Sequence, residues 1–107
     1  MEFGLEKRIL QKITGVLASV PEVDQAIVYG SRAKGNNREG SDIDITLKGE
    51  KLSLKALNQL SLALDDLDLP YLFDLSIYHH IQNSDLLDHI QRVGKVIYSR
   101  PDSSGTE

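Results

Sequence analysis

The chain has 107 residues, of which 40% are hydrophobic and 26% charged, which is the composition expected of one ordinary globular domain. It contains no cysteine, which excludes disulfides, thiolate metal sites and cysteine nucleophiles. With 12 basic and 16 acidic side chains, the net charge is −4, so the basic excess typical of proteins that bind extended nucleic acid is missing. We therefore expect any polyanionic ligand to bind locally, with metal ions neutralising its charge.

The sequence also bears on location and domain limits. No apolar run approaches the ~20 residues that span a bilayer, and charges interrupt the N-terminal apolar residues, unlike those of a signal peptide. We expect a cytoplasmic protein with one domain over residues 1–98. Residues 99–107 lack an apolar anchor, so we expect them to form a mobile tail.

Three segments have the apolar spacing of amphipathic helices. The first covers residues 4–20 and the second about 53 to 67. The third begins at Asn83 or Ser84, either of which is suited to cap it, and ends at Gly94.

Four short segments predict strands, at residues 26–29, 42–47, 72–78 and 95–98. In the second strand, alternation puts Asp42 and Asp44 on the side opposite the isoleucines; in the third, it puts Asp74 on the side opposite Phe73. If helices cover the apolar side, the three carboxylates share the open face of one sheet. The pattern predicts an α+β fold, a small mixed sheet with helices packed on one face.

Gly30 and Ser31 stand where the first predicted strand meets a polar, glycine-rich segment, residues 31–41, that suits a short helix or turn and then a loop. Such a junction exposes backbone N–H groups that can bind phosphate. Glycine permits close approach, the serine hydroxyl adds a donor, and Arg32 could also reach a phosphate. An ordinary turn with a serine cap has the same sequence, so this dipeptide alone does not establish a site.

Asp42 and Asp44 are separated by one residue on a predicted strand, which places their Cβ atoms roughly 6–7 Å apart on the same side. This spacing suits hard cations such as Mg²⁺, which prefer oxygen ligands and also bind substrate phosphates. Aspartate is unfavourable inside strands, so two together need a reason. The alternative is a pair of solvent-facing aspartates that discourage aggregation of an edge strand.

Asp74 lies in mid-strand between Phe73 and Leu75, where a carboxylate is costly unless it is solvated, paired or bound to metal. It is a candidate third ligand and proton acceptor; the alternative is a lone exposed aspartate. His79 and His80 follow the same strand, but a histidine pair at such a position is more often simply exposed.

Taken together, these elements resemble the nucleotidyltransferase superfamily of polymerase β type. The strings Gly30-Ser-Arg-Ala-Lys-Gly35 and Ser41-Asp-Ile-Asp-Ile45, with Asp74 some thirty residues later, are similar to the small bacterial branch, the minimal nucleotidyltransferases (MNT domains). The resemblance covers roughly residues 5–98, and the two motifs together are specific.

The resemblance implies a role for each matching residue. Gly30 and Ser31 would hold the triphosphate of ATP, with Arg32 a weaker candidate. Asp42 and Asp44 would ligate two Mg²⁺ ions, and Asp74 would ligate the catalytic ion and help to deprotonate the acceptor hydroxyl. The implied reaction is in-line attack on the α-phosphorus with pyrophosphate as the leaving group.

The acceptor is the open part of the prediction. After the Asp74 strand the sequence has only a helix and a short strand, so we expect the acceptor to come from a partner protein, or the active unit to be an oligomer. The resemblance implies a HEPN-type toxin as partner, with this chain as the antitoxin that transfers AMP to a tyrosine. The alternatives are a non-catalytic module that neutralises its partner by binding, and nucleotidyl transfer to a small molecule such as an aminoglycoside.

Overall fold

The computed structural model describes residues 5–30 and 42–101. Within them lie three α-helices, Lys7–Ala18 (α1), Leu54–Asp65 (α2) and Ser84–Val93 (α3). The four strands are Gln25–Tyr29 (β1), Ile43–Lys48 (β2), Phe73–Ile77 (β3) and Lys95–Ser99 (β4), and a 3₁₀ turn at Tyr78–His80 follows β3. These bounds confirm every predicted helix and strand to within three residues. None of the helices in the described ranges is long and apolar enough to cross a membrane.

The four strands form one sheet in the order β3-β2-β1-β4. β1 is antiparallel to both β2 and β4, whereas β2 and β3 are parallel. The parallel pair requires a crossover, which α2 provides between β2 and β3. The sheet is therefore mixed, and the predicted α+β class is confirmed.

The main core lies between one face of the sheet and helices α1 and α2. Ile13 and Leu17 of α1 and Leu60 of α2 are fully buried there, against Ile45 and Leu47 of β2. Each helix contributes residues at the three-to-four spacing that the sequence pattern predicted. The alternation in β2 thereby leaves its other side, which carries Asp44, outside this core.

Helix α3 packs on the opposite face of the sheet, which the sequence pattern predicted to be free of helices. Ile90 of α3 forms a second, smaller cluster with Ile27 and Tyr29 of β1. A Cβ added to Gly94, at the end of α3, would lie 2.7 Å from the Ile27 side chain, so the helix end is in close contact with β1. The prediction that helices pack on one face is thus correct for α1 and α2. Helix α3 lies on the other face because Ile27 and Tyr29 present apolar surface on that side.

The N-terminus of α3 depends on Asn83, whose side-chain oxygen accepts from the backbone N–H groups of Asp85 at 2.9 Å and Leu86 at 3.1 Å. Asn83→Ala leaves both donors without this partner and should lower the free energy of unfolding by about 1 kcal/mol, measured by urea denaturation. Asn58→Ala, at an exposed position inside α2, is the matched control and should not destabilise. An equal loss in both variants would contradict the capping role.

Candidate active site

Asp44 and Asp74 lie side by side on adjacent strands. They are direct register partners in the parallel pairing of β2 and β3. Their neighbours along the strands, Ile43, Ile45 and Leu75, belong to the main core or pack against it. Both carboxylates therefore project from the face opposite that core, as the alternation predicted, and Asp74 is exposed. Asp42, also exposed, stands just before β2.

Gly30 brings the end of β1 against Asp44. It follows Tyr29, the register partner of Asp44 across the antiparallel β1–β2 pair. Its φ of +79° lies in the left-handed region that favours glycine. A Cβ at this position would overlap the Asp44 Oδ2 atom, so the carboxylate rests directly on the Gly30 backbone. The other predicted phosphate-binding residues, Ser31 and Arg32, lie outside the described residues.

The surroundings of Asp44 disfavour the charged form of its carboxyl group. Desolvation by burial raises its pKa above the usual carboxyl value, and the negative charges of Asp74 and Asp42 raise the pKa further. His89 acts in the opposite direction and lowers it. A bound cation would offset the negative charges of Asp74 and Asp42 that oppose the ionisation of Asp44.

Tyr29 lies next to Asp44 on the same face of the sheet. Only 9% of its surface is exposed, and burial is the main cause that raises the pKa of its hydroxyl, with the charges of Asp44 and Asp74 adding to the effect. The Ser76 hydroxyl on β3 lowers the pKa of Tyr29, although its geometry falls short of a hydrogen bond. Since β2 separates β1 from β3, the Tyr29 side chain must extend across β2 to interact with Ser76.

His89 is the site residue that the sequence analysis missed. Its imidazole makes an edge-to-face contact with Tyr29, with ring centroids 6.3 Å apart and an interplanar angle of 79°. The histidines considered from the sequence, His79 and His80, are instead exposed in the 3₁₀ turn, as expected. A signal for His89 was available, because it shares the helical stripe of Leu86 and Ile90, which face the sheet.

The donor set fits Mg²⁺ in its chemistry, although it is not a complete cage. Among residues 5–30 and 42–101, no group of three Asp, Glu or His side chains stands ready to hold an ion by itself. Mg²⁺ commonly binds through one or two carboxylates together with substrate phosphates and water. The adjacent carboxylates of Asp44 and Asp74 suit that mode of binding.

Comparison with known families agrees with this geometry. Residues 11–103 match the family model described as polymerase beta, nucleotidyltransferase. The chain belongs to the polymerase β nucleotidyltransferase family. None of the curated proteins compared with it matches.

Several solved structures share the fold of this nucleotidyltransferase. A chain of a toxin–antitoxin complex with AMP-PNP is 23% identical to this chain, with a TM-score of 0.69. The match covers 90% of this chain and 77% of the chain in the complex. The MntA–HepT toxin–antitoxin structure has 20% identity and a TM-score of 0.65, with coverage of 94% and 78%. The tri-AMPylated Shewanella oneidensis HEPN toxin in complex with its MNT antitoxin has 20% identity, a TM-score of 0.66 and the same coverage. At these identities, the likeness concerns the fold.

Proposed function

We propose that this nucleotidyltransferase is a Mg²⁺-dependent adenylyltransferase that transfers AMP from ATP to a tyrosine hydroxyl of a HEPN-type partner. In this role it is the antitoxin of a toxin–antitoxin pair. The observation that carries the proposal is the pairing of Asp44 with Asp74 on the sheet face opposite the main core, directly beside Gly30. Support for the substrate and partner comes from the fold neighbours, which include a complex with AMP-PNP and one with an AMPylated HEPN toxin.

Each residue has a defined task in this proposal. Asp42 and Asp44 hold two Mg²⁺ ions, and Asp74 holds the catalytic one. When bound, these ions stabilise the charge that develops on the phosphoryl oxygens. The backbone at Gly30 approaches the triphosphate, and Ser31 and Arg32 contact it.

Asp74 is placed to accept a proton from the acceptor hydroxyl. It is exposed at β3, an edge strand of the sheet, so a hydroxyl carried by another protein can reach it. In the proposed step Asp74 accepts the hydroxyl proton, the hydroxyl oxygen bonds to the α-phosphorus, and the bond to the β-phosphate oxygen breaks to release pyrophosphate. The net charge of −4 agrees with a compact nucleotide site and not with an extended nucleic-acid surface.

Intact-mass measurement tests this function. The chain is incubated with a HEPN partner, ATP and Mg²⁺, and the partner should gain the mass of AMP. Asp74→Asn removes the proton acceptor and should slow the transfer by about 10²-fold or more. Asp88→Asn, an exposed aspartate on α3 whose partner is Arg92, should leave the rate unchanged.

Two results would decide against catalysis. The first is a partner that is neutralised without any added mass. The second is neutralisation that is equally effective with Asp74→Asn. Either would favour the non-catalytic binding module, in which the chain acts by complex formation.

A further inference from the structure

Leu72 is the most exposed large apolar side chain in the described part of the chain, at 72%. Its backbone is nevertheless held in place. The Leu72 carbonyl accepts from the Ile43 N–H at 2.9 Å, which extends the parallel ladder of β2 and β3 by one step. A single exposed leucine is ordinary on a protein surface, so its place in the fold decides whether it has a role.

Leu72 lies beside the carboxylates, two residues before Asp74. Phe73, which stands between them, packs against the main core, so alternation turns Leu72 to the side of the sheet that carries Asp74. Two residues of a strand span roughly 6–7 Å, which makes the exposed leucine the neighbour of an exposed carboxylate. The exposed leucines Leu54 and Leu62 belong instead to α2, which packs on the other face of the sheet.

The strand order indicates which substrate Leu72 faces. In an in-line displacement, the attacking and leaving oxygens lie on opposite sides of the phosphorus. In the proposed reaction the leaving pyrophosphate lies by Gly30, at the end of β1, and β2 with Asp44 separates β1 from β3. The acceptor therefore approaches from the side of β3, where Asp74 takes its proton and Leu72 is exposed.

We propose that Leu72 is the docking contact for the acceptor segment of the partner protein. An apolar side chain within two residues of the acceptor tyrosine packs on Leu72 while the tyrosine hydroxyl meets Asp74. Alternate side chains of an extended segment are spaced roughly 6–7 Å apart on one side, which matches the spacing of Leu72 and Asp74. The inference rests on the proposed function, because it takes the acceptor to be a protein; a small hydroxylated acceptor brings no such apolar neighbour.

Steady-state transfer of AMP to the HEPN-type partner tests this contact. Leu72→Asn removes the apolar surface without adding a charge beside the aspartates, whereas Leu72→Met keeps it. Leu72→Asn should raise the KM for the partner about 10-fold or more, as the loss of an interface anchor does, and Leu72→Met should stay near the wild type. Leu62→Asn, at a 67% exposed leucine on the other face, is the matched control and should have the wild-type KM.

Calorimetry with Mn²⁺ and α,β-methylene ATP, which cannot transfer AMP, measures the nucleotide site separately. Leu72→Asn should bind this complex as tightly as the wild type does. Urea unfolding shows whether the variant folds, and Leu72→Ala takes its place if it does not. The inference is overturned if Leu72→Asn keeps the wild-type KM, or if it loses nucleotide affinity, which would place Leu72 against the nucleotide. A wild type that transfers no AMP overturns the proposed function, and the inference with it.

Discussion

Asp44→Asn should reduce AMP transfer by about 10³-fold and yet make the metal-free protein more stable. The loss of activity follows because metal charge stabilisation contributes several kcal/mol to such reactions, and each 1.4 kcal/mol is a factor of ten. The gain in stability follows from the raised pKa of Asp44, which is caused by burial and by the charges of Asp74 and Asp42. A neutral amide of the same shape removes that repulsion.

The pH dependence of this effect has a definite sign. Asp44 holds its proton more tightly in the folded chain than in the unfolded chain, where it has the ordinary carboxyl pKa. The folded state therefore binds more protons in the interval between the two pKa values, and stability falls as pH rises through that interval. Above the raised pKa the full cost is present, so the variant should show its greatest advantage at pH values above that pKa.

Urea denaturation of the metal-free proteins at a series of pH values measures this contribution, and the mass assay measures the transfer. Asp65→Asn, an exposed aspartate at the end of α2, is the control and should change neither the transfer rate nor the part of the pH profile assigned to Asp44. A metal-free Asp44→Asn protein that is less stable than the wild type at the highest pH of the series would contradict the assigned repulsion.

Gly30→Ala should strongly reduce AMP transfer, although it adds only one methyl group. The added Cβ would clash with the Asp44 Oδ2 atom, so the carboxylate has to move. A displacement of about 1 Å in a catalytic group can cost 10²-fold in rate, and we expect a loss of that order in AMP transfer. The φ of +79° adds a backbone cost of about 1–2 kcal/mol, which should appear in urea denaturation.

Gly15→Ala is the matched control for this substitution. Gly15 lies inside α1, and nothing stands within 4 Å of an added Cβ. Alanine there should raise the free energy of unfolding by about 0.5–1 kcal/mol, without affecting the transfer. Full activity in Gly30→Ala would show that the contact between Gly30 and Asp44 does not serve the site.

The sequence allowed much of this site to be predicted because a strand has a period of two. Once Ile43 and Ile45 are assigned to the core, Asp44 must face the other way, and the same argument applies to Asp74 between Phe73 and Leu75. Period two does not specify that the two aspartates are opposite each other. That depends on the parallel register of β2 and β3, which only the structure shows.

The contribution of α3 could not be predicted in the same way. Its apolar stripe indicates that the helix packs against something, but a stripe does not identify which face of the sheet receives it. Helices α1 and α2 already cover the sheet face that forms the main core. The apolar side chains on the far side of β1, Ile27 and Tyr29, brought α3 to that face and His89 against the Tyr29 ring. Ser31 and Arg32 remain predictions.

The parallel pairing of β2 and β3 also determines when the site can form as the chain folds. The two strands become neighbours only after α2 has crossed over the sheet, so the pairing closes a longer loop than a hairpin would. In a partly folded chain that has not made this crossover, Asp44 and Asp74 remain apart. Their mutual repulsion is therefore absent from such a state and weakens only the native one, where both aspartates are in position to act.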